Sequence, residues 1–189
     1  EDKDLVPSFV EIKEGSDPLD PRKYKDTDGD LVPDYIETRN LTDINDKTKF
    51  LDTDKGGVPD YVETLLYSFY NLPSTNIFQA NDDKLDSDLD GVPDYEEIIE
   101  GTNPLDPNDP KDLDNDHVPD YIELKAGTDP NDPIKYPDTD KDGVPDYVEI
   151  KEGTDPEIGS NFKDTDGGGV ADYVESILYP ATGQPATDI

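Results

Sequence analysis

The sequence predicts an elongated tandem-repeat rod of short helices and irregular loops, with little or no sheet and no central core. Three observations predict it. A D-x-D pair recurs at Asp26, Asp52, Asp86, Asp112, Asp138 and Asp164, evenly spaced except for one longer interval between Asp52 and Asp86. A fixed period of this size marks a repeat array. Only 31% of the 189 residues are hydrophobic, while 16 basic against 49 acidic residues give a net charge of −33. With the acids scattered, that balance would leave the chain disordered, so order has to come from their arrangement. Each repeat also carries one aromatic residue and two or three aliphatics, enough to pack only against a neighbouring repeat.

The first element of each repeat is a twelve-residue acidic loop, clearest in "DTDKDGVPDYVE" at Asp138–Glu149. Carboxylates at loop positions 1, 3, 5, 9 and 12, with Gly at 6, are the oxygen set a hard cation needs. The second element is a helix of about two turns. Pro145 suits a first helical residue, and Asp146 and Glu149 in the first turn are favoured by the helix dipole. Gly153 supplies the stop and Pro156 prevents resumption. The third element is a G-T-D-P-L-D-P-like tail that runs extended into the next loop. With no helix ahead of the loop and Pro at position 8, these are loop-plus-helix units in series, unlike paired EF-hands.

Four loops hold the complete set: Asp26, Asp28, Asp30, Asp34 and Glu37; Asp86, Asp88, Asp90, Asp94 and Glu97; Asp112, Asp114, Asp116, Asp120 and Glu123; Asp138, Asp140, Asp142, Asp146 and Glu149. With a position-7 carbonyl and a bidentate Glu they reach roughly seven oxygens, a calcium number. In two loops position 5 is Gly56 or Gly168, leaving Asp52, Asp54, Asp60, Glu63 and Asp164, Asp166, Asp172, Glu175. There a water or backbone oxygen is expected to substitute. The first repeat keeps Asp2, Asp4 and Glu11, has Ser8 at position 9, and alone makes a poor site. Six divalent ions offset only part of −33, so a second ion is expected on the tail residues Asp17, Asp20, Asp43, Asp46, Asp106, Asp129, Asp132 and Asp155, with Asn103 as a neutral equivalent. The competing reading is that these aspartates cap turns. The count expected is therefore about one to two calcium ions per repeat, and the fold predicted is calcium-stabilised.

Position 6 requires a sharp turn. His117, the one histidine, fits there because His tolerates left-handed backbone, which favours a structural role over a ligand. Leu5 and Leu31 predict an altered backbone in the first two loops. Position 10 is aromatic throughout (Phe9, Tyr35, Tyr61, Tyr95, Tyr121, Tyr147, Tyr173), which predicts contacts between adjacent repeats.

Cys, Met and Trp are absent, which removes disulfides and thiolate metal sites. No apolar run reaches membrane-spanning length, and residue 1 opens no signal peptide. The acidity excludes nucleic acid as a partner. Every carboxylate cluster has ligand spacing and the His has no partner set, so an enzyme is not expected. A calcium sensor would need a Met-rich groove.

"DTDKDGVPDYVEIKEGTDP" resembles the bacterial-type thrombospondin type 3 repeat, and the likeness extends over residues 1–179. The resemblance implies short, mostly irregular segments wrapped around calcium, serving as rods, stalks or spacers in secreted and surface proteins. It also implies two ions per repeat, as in thrombospondin members. The Gly56 and Gly168 loops, the first half-site and the insertion depart from the pattern.

The expected organisation is a repeat block over residues 1–67, an apolar insertion or linker at 68–85, a second block at 86–179 and a C-terminal tail at 180–189. A longer period overlies it. One common offset carries Asp52 onto Asp164, Tyr24 onto Tyr136, Phe50 onto Phe162, and "PSTNI" onto "PATDI". This points to a duplicated block and to head-to-tail self-assembly, with Asp188 supplying an oxygen to the first half-site of the next chain. "LPSTN" at 72–76 lacks a following apolar tail and is a chance likeness to a sortase signal. The function expected is an extracellular or cell-surface structural rod, assembling into a surface or matrix filament such as that of a biofilm. The alternative is a stalk or spacer within a larger adhesin or secreted enzyme.

Overall fold

The computed structural model describes residues 2–185. Its loops are built by their own carboxylates. The position-1 Asp accepts the N–H groups of positions 4 and 6, as when Gly29 and Leu31 donate to Asp26 at 2.8 and 2.9 Å. Lys141 and Gly143 do the same to Asp138. The position-9 Asp closes the loop by accepting the position-2 N–H, from Thr27 to Asp34 and from Thr139 to Asp146. Its own N–H donates to the residue before the loop, as from Asp34 to the Lys25 carbonyl.

Positions 4 and 6, the two residues this bonding grips, are left-handed in every loop. Leu5 and Leu31 both have φ of 70°, as does His117, beside 93° for Gly143. The altered backbone expected for Leu5 and Leu31 is not found. In the second loop a doubly bonded carboxylate holds Leu31 in a turn that its side chain disfavours. His117 likewise sits in the turn, its N–H donating to Asp112 at 3.0 Å.

Five repeats continue into seven-residue α-helices: Ser8–Glu14, Asp34–Asn40, Asp94–Glu100, Asp120–Ala126 and Asp146–Glu152. The proline stands one position earlier than predicted. Pro145, with ψ of 141°, is the extended N-cap, and its carbonyl accepts from the Glu149 N–H. Proline loses nothing there because an N-cap N–H makes no helical bond. Left-handed Gly15, Gly101, Gly127 and Gly153 end four of the helices. The following N–H folds back, as from Thr154 to the Glu149 carbonyl, which is the Schellman closure. In the two glycine-variant repeats the helix is instead a π-helix, Val62–Leu66 and Val174–Leu178. Strands are absent among the described residues, in keeping with a tandem array of short helices and loops.

The chain divides into two units. The first comprises the residues up to Leu89 together with Pro93–Asp106, and it includes the 68–85 segment; the second comprises Asp90–Val92 with the residues from Pro107 onward. Among the described residues, each holds a small apolar cluster around its π-helix. In the first, Val32, Val58, Tyr61, Val62, Leu66, Tyr67, Leu72, Tyr95 and Ile98 are buried. In the second they are Val144, Val148, Ala171, Tyr173 and Val174. The longer period relates the two, since Tyr24 stacks edge-on against Tyr61 as Tyr136 does against Tyr173.

Contacts between repeats do not stop at the neighbour. In the first unit the position-10 hydroxyls of Tyr61 and Tyr95 donate to the carbonyls of Asp4 and Asp30 at 3.1 and 3.0 Å. In the second, Tyr147 and Tyr173 donate to Asp90 and Asp116 at 2.7 and 2.9 Å. Each bond skips one repeat and ends on the backbone of position 5. The repeat period held no sign of this, since it is silent on which copies meet.

Candidate metal centres

The helix that follows each loop turns its Glu inward. Glu11, Glu37, Glu63, Glu97, Glu123 and Glu149 are completely buried, and Glu175 nearly so. Both carboxylate oxygens of Glu11, Glu123 and Glu149, and one of Glu37 and of Glu63, have no hydrogen-bond partner. An ionised carboxylate is costly to bury without compensation. Facing these oxygens are the loop aspartates: carboxylate oxygens of Asp26, Asp28 and Asp30 lie within 4.8 Å of one another, as do those of Asp112, Asp114 and Asp116. The first repeat brings Asp2, Asp4 and Glu11 together just as closely.

The electrostatics follow from that crowding. Burial, reinforced by Asp30, Asp28 and Asp34, pushes Glu37 up to about 7. Burial, with Asp116, Asp114 and Asp120, pushes Glu123 up to about 8. Glu149 rises to about 7 by burial and then Asp142, Asp140, Asp146 and Asp138. Glu11 is raised to about 7 by burial and then Asp4, Asp2 and Asp17. At position 5, Asp30 and Asp116 are each pushed up to about 7, chiefly by burial. Partnerless buried oxygens at positions 3, 5 and 12, gathered within 4.8 Å in Asp2, Asp4 and Glu11, fit a hard divalent cation and its oxygen chemistry.

The remaining predicted residues divide by role. Position-9 carboxylates are turned to their own loops: Asp34, Asp60, Asp94, Asp146 and Asp172 each accept from the position-2 N–H and hydroxyl. Asp120 accepts from Leu113 and pairs with Lys111 at 3.1 Å. In the fourth loop, Leu89 donates to Asp86 and Val92 to Asp90, while Asp86 and Asp88 help raise Asp94 after burial. In the last loop, Gly167 and Gly169 donate to Asp164, and Gly168 to Asp166.

Tail aspartates mostly cap turns. Leu19 donates to Asp17, Arg22 to Asp20, Asn45 to Asp43, Thr48 to Asp46, Asn131 to Asp129 and Glu157 to Asp155. Asp132 pairs with Lys135, Leu105 donates to Asn103, and the Asp106 N–H donates to the Asn103 carbonyl. Asp188 lies outside the described residues.

Sequence reasoning missed Asp82 and Asp83. In ordinary loops the position-7 N–H donates to the position-5 Asp, as from Val32 to Asp30 and from Val118 to Asp116 at 2.8 Å. In the third loop, where position 5 is Gly56, Val58 donates instead to Asp83 at 2.9 Å. A Cβ on Gly56 would collide with that carboxylate. At this position, where a water or backbone oxygen was expected, the structure places a carboxylate from the insertion. Carboxylate oxygens of Asp54, Glu63, Asp82 and Asp83 lie within 4.8 Å of one another. The available signal was a coincidence: the repeat that lacks an Asp is the one followed by an insertion containing "NDDK".

No curated protein and no solved structure matches this chain. Residues 86–107, 112–133 and 138–156 match the family model of the bacterial TSP3 repeat. Such repeats bind calcium, and several acidic clusters here suit multiple ions. The stretch from Asp86 to Pro156 is thus a run of three tandem repeats of the bacterial TSP3 type.

Proposed function

We propose that this chain is a calcium-stiffened structural protein of extracellular or surface location, in which ions held at loop positions 1, 3, 5 and 12 do the work of a hydrophobic core. The observation that carries the reading is the fully buried Glu at position 12, which in Glu11, Glu123 and Glu149 turns two partnerless oxygens towards the loop aspartates. When bound, calcium would neutralise that cluster and couple the helix to its loop. The chain's own residues preorganise the site: position 9 staples the loop, and position 1 fixes the two left-handed residues. Extracellular calcium in the millimolar range keeps weak modular sites filled, which suits a stalk, spacer or filament outside the cell. The role is structural rather than catalytic, because the clustered carboxylates have ligand spacing. Calcium is expected to raise the thermal midpoint strongly and magnesium much less, since magnesium demands a tighter octahedron. Equal midpoints with calcium, with magnesium and with neither would remove this reading.

Head-to-tail self-association is a second layer of the proposal. It is favoured by the first helix, where Phe9 is 72% exposed and Ile12 68%. Later position-10 aromatics such as Tyr61 and Tyr95 are buried against an earlier repeat. Phe9 stands at the same repeat position on an exposed apolar helix face. Light scattering in millimolar calcium is expected to show association that Phe9→Ser weakens; a strictly monomeric parent chain would end this layer while leaving calcium binding intact.

A further inference from the structure

The segment 68–85 lengthens one interval of an otherwise even repeat, and nothing in the repeat grammar gives it a purpose. Its two ends are anchored, Leu72 in the apolar cluster of the first unit and Leu85 packed against it. Between them the backbone brings Asp82 and Asp83 over the third loop. Asp83 is 4% exposed. One of its oxygens takes the Val58 N–H, and the other has no hydrogen-bond partner. Glu63, fully buried, receives the Thr75 hydroxyl at 3.0 Å on one oxygen and has no partner on the other. The Asn76 N–H holds one oxygen of Asp82 at 3.1 Å, and its second oxygen also lacks a partner. Thus the insertion both donates carboxylates to the cluster and orients those already there.

We propose that the insertion is a cation-dependent clip: Asp82 and Asp83 complete a divalent-cation site with Asp54 and Glu63, and the ion fastens residues 72–85 to the third loop. The ligand class is a hard divalent cation, calcium before magnesium, because every donor is an oxygen and four carboxylates converge, more than the one or two that magnesium usually takes. Gly56 is the complement of this arrangement. Its missing side chain is what lets the Asp83 carboxylate reach the place that position 5 fills in other loops. Glycine here does not mark a degenerate site. It marks a site whose ligand comes from a distant segment, so binding and closure of the clip are one event. The inference rests on the calcium reading above.

The test uses the full chain, with calcium as the probe. Calcium stoichiometry is measured by direct titration, and amide hydrogen exchange is followed over residues 72–85 with and without calcium. In the parent chain, exchange in this segment is expected to slow in calcium on the order of tenfold or more. D82N/D83N, isosteric with the parent, is expected to bind one ion fewer and to lose that slowing. Adding Gly56→Asp to D82N/D83A, which removes the side chain that a Cβ at position 56 would meet, rebuilds an ordinary loop, so this triple variant is expected to regain the ion while the segment continues to exchange fast. The proposal is overturned if D82N/D83N keeps the full ion count, or if exchange in 72–85 is indifferent to calcium in the parent chain, a measurement that needs no variant. A parent chain that binds no calcium at all would remove the broader reading as well, so the two failures are distinguishable.

Discussion

Glu123 shows how a single residue links burial to charge in this protein. Completely buried and faced by Asp116, Asp114 and Asp120, it is pushed up to about 8 from an ordinary 4.5, as Glu37 and Glu149 are to about 7. Without metal, such a group holds a proton in the folded chain that the unfolded chain has already lost. The calcium-free fold is therefore expected to lose stability as pH rises from about 4.5 towards 8, and to regain it on acidification. With calcium the sign reverses, because protons compete with the ion for the same oxygens: calcium affinity is expected to fall as pH drops below about 7. Denaturant titrations at several pH values, with and without calcium, check both slopes. Leu89 tests the loop backbone at the same scale. It is 84% exposed with φ of 66°, so Leu89→Gly relieves left-handed strain at the expense of added unfolded-state entropy. The net expected is a stabilisation of up to about 1 kcal/mol in calcium-saturated thermal melts.

At the scale of the element, each loop-helix unit is closed by side chains the sequence announces and tied to other units by side chains it does not. The acidic loop, the seven-residue helix and its glycine stop were legible because their determinants lie within one repeat. Position-1 carboxylates, Pro145 and Gly153 all act on backbone a few positions away. The turn at Leu31 runs against residue preference because two hydrogen bonds to Asp26 outweigh that preference. Asp83 was not legible because it stands in for Gly56 from the far end of the insertion, and a repeat pattern read in register looks only within a copy. The tyrosine bonds that skip a repeat were hidden for the same reason. They give a sharp contrast for mutation. Tyr173→Phe removes the bond to the buried Asp116 carbonyl. Its expected cost is about 1 kcal/mol in denaturant titrations. Tyr121, at the same repeat position, is half-buried and lies under Lys125; Tyr121→Phe is expected to be close to neutral by the same assay.

Across the whole molecule, a net charge of −33 is carried on a chain whose two apolar clusters are small. Much of what would be core volume elsewhere is occupied here by carboxylates: buried Glu residues number among the largest fully buried side chains. On the proposed reading, the balance between order and self-repulsion is set by cations rather than by oil. That is why calcium was readable from the sequence as a cofactor before any contact was known, whereas the partners of the chain were not: ligand spacing is local, and recognition surfaces are not.

The most direct measurement is far-UV circular dichroism together with solution scattering, taken on the same sample before and after chelation. Loss of the helical signal and expansion of the chain are expected when calcium is stripped near pH 8, with recovery when calcium is returned. Unchanged spectra and dimensions in excess chelator would contradict the calcium reading.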